Sequence, residues 1–323
     1  MTSHVVRAFM LDGQGGGTVL SAEKISRADR LEGLVWIHLD GNDADSRHCL
    51  ESEFEALDPF IIDALLDDVS RPRMTQIGDG ALLVLRGVNL NENEDPEDMV
   101  SISLWVERSR IIMVSRKRIR AAADIEAKLL AGTGPRNTGH FVTMLCERLF
   151  ARMEPILRSL DDRADDIEEK VLLESDPKLR ESIIDVRIQA IMFRRYLAPQ
   201  RDAIDHFRMA DFEWLDKFHR RHLQEVYNHL TRNVEDLDAI RERSQIVKDE
   251  IAHVLADRLN KHMYILSMIA AIFLPLGFLT GLLGINVGGI PGASYAWAFW
   301  VFLGFLAIIV SVQLSLFKWF RWF

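Results

Sequence analysis

The chain has 323 residues, with 39 basic and 48 acidic side chains and a formal net charge of −9. That balance excludes a nucleic-acid binder, which needs basic surface, and suits small cations, whose local concentration an acidic field raises. Two distant cysteines, Cys49 and Cys146, exclude a disulfide framework and fit a reducing cytosol.

In chain order, Val5 to Leu11 and Val35 to Leu39 read as short strands. Gly13 to Gly17 is glycine-rich, but no Lys-Ser/Thr pair follows it, so it predicts a turn and not a phosphate loop. Pro59 opens a helix with Asp58 as its cap. Ala81 to Val88, Val100 to Val106 and Ile111 to Val114 are strand-like, the last two paired across Glu107 to Arg110, and Asn89 to Asp98 is an acidic loop. The first 120 residues or so are thus mixed α/β, and those from about 120 to 262 are helical. One short helix runs from Ile119 to Leu130 and stops at Gly132-Thr133-Gly134-Pro135. A longer one covers Phe141 to Leu173. Asp176 and Pro177 cap the next, which runs to about Met209 with a bend at Pro199.

From Asp211 to Leu274 there is neither Gly nor Pro. A continuous helix of that length would reach about 95 Å at 1.5 Å per residue. Apolar residues recur from Leu230 to Leu259 at helical spacing, predicting a stalk that enters a membrane, with two helices meeting near Asp211 to His219 as the alternative. On the stalk, His219 and His222 stand three apart, with Glu225 and His229 beyond. They are either a peripheral zinc site or a solvated face, and Arg220 and Arg221 weigh against a cation. The acidic segment Asp161 to Glu169 either concentrates cations or is simply solvated. His262 sits at the membrane edge, so any proton coupling would use it, stalk carboxylates or water.

Met263 to Phe317 contains no Asp, Glu, Lys or Arg. This run holds two spans, Met263–Ile285 and Ala298–Phe317, because roughly 20 apolar residues cross a bilayer core. A hairpin of residues 263–323 with a loop at 286–297 follows, attached to a domain of residues 1–262. Arg258 and Lys261 precede the first span, Lys318 and Arg321 follow the second, and the loop has no basic residue. Both termini are therefore expected in the cytoplasm. No charged leader with an apolar stretch opens the chain, so no signal peptide is expected. Trp297, Trp300, Trp319 and Trp322 fall where aromatic belts meet lipid.

Small residues gather on one side of the first span: Met263, Ser267, Ala270, Leu274, Gly277, Gly281 and Gly284 share a face. This is either a packing seam against the second span or the wall of a path. Two helices cannot enclose water, so a path needs several copies. Pro275 deletes one backbone hydrogen bond and allows a bend. Neither span carries Asp, Glu, Lys, Arg, His or Cys. A path could then offer only carbonyls, the hydroxyls of Ser267 and Thr280 and the Asn286 amide, which suits a cation keeping its water. No nucleophile–base constellation or cofactor fingerprint stands out, so no enzyme is expected.

Gly284-Ile285-Asn286, placed between two C-terminal spans after a long stalk, resembles the Gly-Met-Asn signature of the CorA family of divalent-cation transporters. The longer string Gly284 to Gly292 looks like its ZntB zinc-transport branch. The resemblance implies an α+β membrane protein. A cytoplasmic α/β domain leads into a long stalk helix, which continues into the first of two transmembrane helices of a homopentameric funnel in the bacterial inner membrane. It also implies that Asn286, shaped by Gly284 and Ile285, forms a ring at the outer mouth holding a hydrated cation. Met263, Leu266, Ala270, Leu274, Gly277 and Gly281 would line the pore. Asp249 could place a carboxylate ring in the funnel, or be a solvated charge. Lys261, Lys318 and Arg321 resemble a basic collar. Here the loop lacks the acidic residue that magnesium-transporting members commonly carry, which favours zinc over magnesium. The expected partners are four further copies, membrane lipid, hydrated Zn2+ as cargo and protons. No cofactor is expected.

Overall fold

A computed structural model of the chain describes residues 4–21, 25, 33–54, 57–68, 71–173, 178–284, 292 and 295–319. It divides into two compact units, Met1–Asp249 and Glu250–Phe323.

The first unit is built on one sheet. Its strands are β1 (Val5–Leu11), β2 (Gly17–Val19), β3 (Leu34–Asp40), β4 (Arg73–Ile77), β5 (Gly80–Gly87), β6 (Val100–Val106) and β7 (Arg110–Ser115). Their order is β2-β1-β3-β7-β6-β5-β4. Every join is antiparallel except β3 with β7, which run parallel from Val35 opposite Arg110 to Asp40 opposite Ser115. The glycine-rich stretch is the turn of the β1–β2 hairpin. Asp12 Oδ1 accepts from Gln14 N at 2.7 Å and Gly16 N at 2.9 Å. These backbone donors hold its carboxyl below the usual range.

Strand β3 is buried along nearly its whole length because both faces of the sheet are covered. On one face Val35, Ile37, Leu39, Ile112 and Val114 meet α1 (Asp45–Glu53) and α2 (Pro59–Leu66) through Leu50, Phe54, Ile61, Ile62 and Leu65. Asp58 caps α2, accepting from Phe60 N at 2.8 Å, with Pro59 in the first turn. On the other face Phe9 stacks on Trp36, and Trp36 meets Phe141 of α4 (Thr138–Ala151) at 5.0 Å between rings.

The remaining helices are α3 (Arg120–Leu130), α5 (Glu154–Leu173), α6 (Lys178–Met209), α7 (Lys217–Gly284) and α8 (Ala298–Trp319). The single helix expected over Phe141 to Leu173 is two, α4 and α5, broken at Arg152 and Met153. The breaker is Pro155, which lacks an N–H and whose ring clashes with the carbonyl four residues back; it fits only in the first turn of a new helix. Arg152 at the break is held by Asp124 of α3, with Nη2 2.5 Å from Oδ2.

The long helix begins at Lys217, not Asp211, so the alternative of two helices holds. Nothing in the composition stops the chain there. Instead Phe207, Phe212 and Trp214 fold onto one another, the last two stacked at 4.7 Å. Asp216 then caps α7, accepting from His219 N at 2.9 Å. Helix α6 continues through Pro199. The next residue, buried Gln200, acts as a one-residue strand beside β5: its Oε1 accepts from Arg86 N at 2.5 Å and its Nε2 donates to Arg86 O at 3.0 Å. The expected caps Asp176 and Pro177 lie outside the described residues.

Candidate cation path and the sites around it

The second unit contains residues 250–284 of α7 and all of α8, the two helices long and apolar enough to cross a membrane. They meet along stripes of half-buried residues. On α7 these are Met268, Ala271, Ile272, Pro275, Leu276 and Leu279; on α8 they are Phe302, Leu306, Ile309, Val310, Gln313 and Phe317. Steps of three and four residues keep each stripe on one face.

The face that carries the small residues is the opposite one. Met263, Leu266, Ala270, Leu274, Gly277 and Gly281 are all exposed, Leu274 at 77%. A Cβ added at Gly277, Gly281 or Gly284 would meet nothing within 4 Å. Helix α8 therefore does not cover this face, and the glycines are not a seam between the two helices of one chain. Thr280, nearby, donates its hydroxyl proton to Leu276 O at 2.9 Å and keeps acceptor capacity on its oxygen. Gly284 ends α7, while Ile285, Asn286 and Arg321 lie outside the described residues. Lys261 and Lys318 are exposed.

Polar atoms also join the two helices. Gln313 Nε2 donates to the Ala271 carbonyl at 3.3 Å. Ala271 lies four residues before Pro275, so its carbonyl is the acceptor that the proline leaves without a helical donor. Sequence reading missed Gln313; the available signal was a side-chain amide in the second span facing a proline-interrupted first span.

In the first unit, Asp249 lies on α7 with its own neighbours. Gln245 Nε2 donates to Oδ2 at 2.8 Å, and Lys248 Nζ stands 3.6 Å from Oδ1. His219 and His222 do not converge. His219 is buried, its Nδ1 2.8 Å from Asp216 Oδ1, and burial lowers its pKa. It packs against His140 of α4 at 6.3 Å between rings. His222 pairs instead with Glu147 of α4 at 2.9 Å. The two histidines fasten the start of α7 to α4, and among the described residues no group of three or more His, Cys, Asp or Glu side chains is arranged to hold a metal.

The acidic segment of α5 is also partnered. Arg243 of α7 reaches Asp161 at 2.6 Å and pairs with Asp165, and Glu168 lies 3.9 Å from its Nε. Nearby, Asp236 has a raised pKa, from burial first and from the Asp161 charge second. A buried polar line crosses the sheet as well: Arg7 is 2.5 Å from Glu126 and 3.4 Å from His38 Nδ1, and His38 Nε2 is 2.8 Å from Ser115 Oγ. Neither Arg243 nor His38 was singled out by spacing, because both depend on contacts between elements far apart in sequence.

Residues 32–319 match the family described as CorA-like Mg2+ transporter protein. The chain is 35% identical over 323 residues to the divalent cation transporter CmaX of Pseudomonas aeruginosa, covering 98% of this chain and 96% of that one. It is 33% identical over 297 residues to the zinc transport protein ZntB of Yersinia enterocolitica, covering 92% and 89%. The solved structure of full-length CmaX superposes with a TM-score of 0.85 at 34% identity, covering 99% of this chain and 98% of that one. A mixed sheet, a long helix that becomes the first of two apolar spans, and a match over nearly the whole length together establish that the chain belongs to the CorA-like family of divalent-cation transporters.

Proposed function

We propose that the chain carries divalent zinc across the bacterial inner membrane as a homopentamer, with α7 of each copy lining the path and both termini in the cytoplasm. The observation that carries this reading is the exposed small-residue face of α7, turned away from α8. Copies arranged around an axis would bring Met263, Leu266, Ala270, Leu274, Gly277 and Gly281 together. Asn286, beyond Gly284, would then ring the outer mouth, and Lys261, Lys318 and Arg321 would form a collar at the inner one. The similarity to ZntB supports zinc as cargo. Uncharged walls suit an ion that keeps most of its water, since they hold it too weakly to strip it. Movement is inward, coupled to protons. Because the spans hold no Asp, Glu, Lys, Arg or His, the coupling group lies outside them, at His262, on stalk carboxylates such as Asp249, or in water.

The second reading is magnesium, cobalt or nickel as cargo, supported by the family description as Mg2+ transporter and consistent with CmaX, described as a divalent cation transporter. Purified protein in vesicles, with the proton gradient set independently, separates the two. Zinc flux that rises with an inward proton gradient and exceeds magnesium flux supports the proposal; magnesium flux exceeding zinc overturns the cargo. Asn286→Ala is expected to abolish flux while the oligomer stays assembled, and unchanged flux removes the proposed ring.

A further inference from the structure

We infer that Gln313 is a positioning residue for the cation path, holding α7 at Pro275 by donating to the carbonyl that the proline orphans. The inference rests on α7 lining the path, and three observations on the two helices carry it.

The first is covalent. Pro275 has no N–H, so the Ala271 carbonyl loses its regular intrahelical donor within a segment where no water is at hand. An unpaired carbonyl in hydrocarbon is costly, and a donor from a neighbouring helix is one of the ways that cost is removed. The second is geometric: Gln313 Nε2 lies 3.3 Å from that same carbonyl oxygen. A carbonyl only accepts, so the amide must present its NH2 group there, which fixes the orientation of the side chain. The third concerns the rest of the amide. Gln313 Oε1 is buried and meets no donor among the described residues. The side chain is thus held at this position by the donor bond and not by a wider polar network.

Pro275 lies beside the face assigned to the path. Leu274 and Gly277 flank Pro275 on the exposed side, and with Ala270, Phe273 and Phe278 they border a shallow hollow there. A helix held at Pro275 aims these side chains in one direction; a helix free to flex at the missing hydrogen bond sweeps them through several. Gln313 lies on the face of α8 toward α7, away from any cation, so it acts on the shape of the path and not on capture of the ion.

The test is a double-mutant cycle on the full-length protein. Gln313→Leu keeps the bulk and removes the donor. It is expected to lower maximal zinc flux roughly three-fold, the size of a typical interhelical hydrogen bond in a membrane, with the half-saturating zinc concentration unchanged. Pro275→Ala supplies the missing N–H to Ala271, so adding Gln313→Leu in that background is expected to change flux no further. The unfolding midpoint in lipid nanodiscs is expected to follow the same pattern, lowered by Gln313→Leu only when Pro275 is present. An equal loss in both backgrounds overturns the inference, as does an unchanged midpoint and flux for Gln313→Leu alone. If the native protein moves no zinc at all, the proposed function fails, and the midpoint cycle still decides whether Gln313 serves the Ala271 carbonyl.

Discussion

His38 Nε2 and Ser115 Oγ lie 2.8 Å apart across the parallel join of β3 and β7. Ser115 donates its own proton to Lys117 O at 3.0 Å, so its oxygen accepts from His38. The ring is therefore neutral, protonated on Nε2, with Nδ1 turned to the Arg7 guanidinium. Burial first and the Arg7 charge second lower its pKa from 6.5 to about 3.

That shift fixes a pH dependence. Between about pH 3 and 6.5 the unfolded chain binds a proton at this ring that the folded chain refuses. Stability from this group therefore rises with pH across that interval and is flat above it, by about 1.4 kcal/mol per unit at most. Chemical unfolding followed from pH 7 to 4 is expected to show the loss. His38→Gln, which keeps a donor and cannot titrate, is expected to flatten it; an unchanged slope assigns the acid sensitivity to other groups.

Gly139→Ala is expected to destabilise the first unit. The new Cβ would lie 2.7 Å from His219 Nδ1 and 2.9 Å from Trp214 O. The gain in helix propensity is about 1 kcal/mol. Overpacking costs about 1–3 kcal/mol and wins here, because a backbone carbonyl cannot swing away. A midpoint equal to or above that of the native chain would show that the start of α7 yields at this point.

Arg243→Met leaves the carboxylates of Asp161, Asp165 and Glu168 side by side on one face of α5 without the α7 arginine that pairs with them. At 32% side-chain exposure the arginine is partly screened, so the expected loss is about 1 kcal/mol. Raising the salt concentration should shrink that deficit, since it damps the repulsion. A deficit insensitive to salt would mean that the arginine contributes by packing alone.

Thiol labelling tests which side of α7 meets water, and the native cysteines will not interfere. Cys49 is buried with its pKa pushed up to about 11, and burial pushes Cys146 up as well. Neither is a thiolate at neutral pH. Gly277→Cys and Gly281→Cys are expected to react with a cationic methanethiosulfonate in membranes, and Ile272→Cys and Leu279→Cys to be protected. Equal protection at all four positions would put the path elsewhere.

The strands other than β2 and β4, and the two apolar spans, could be read in the sequence because each is set by local pattern. The run Val100 to Val106 is apolar and β-branched whatever surrounds it, and residues 263–317 carry no charge. The cap at Asp58 was legible for the same reason. Strand β4 was not: Arg-Met-Thr-Gln-Ile is mostly half-buried at the sheet's edge, and only pairing with β5 makes it a strand. The helix end at Met209 was legible, but the start at Lys217 depends on three aromatic rings folding together. The small-residue face of α7 could be listed from spacing. Which way it turns relative to α8 needed coordinates, as did the partners of Arg243 and Gln313.

The parallel join between β3 and β7 also sets a timetable for folding. Val35 must wait for Arg110, which leaves the ribosome 75 residues later, whereas β2 and β3 can pair on either side of β1 as soon as they emerge. Closing so long a loop is slow, and the apolar edge of β3 stands open meanwhile. Synthesis paused between β3 and β7 should leave a nascent chain that recruits chaperones, and one released past Ser115 should not.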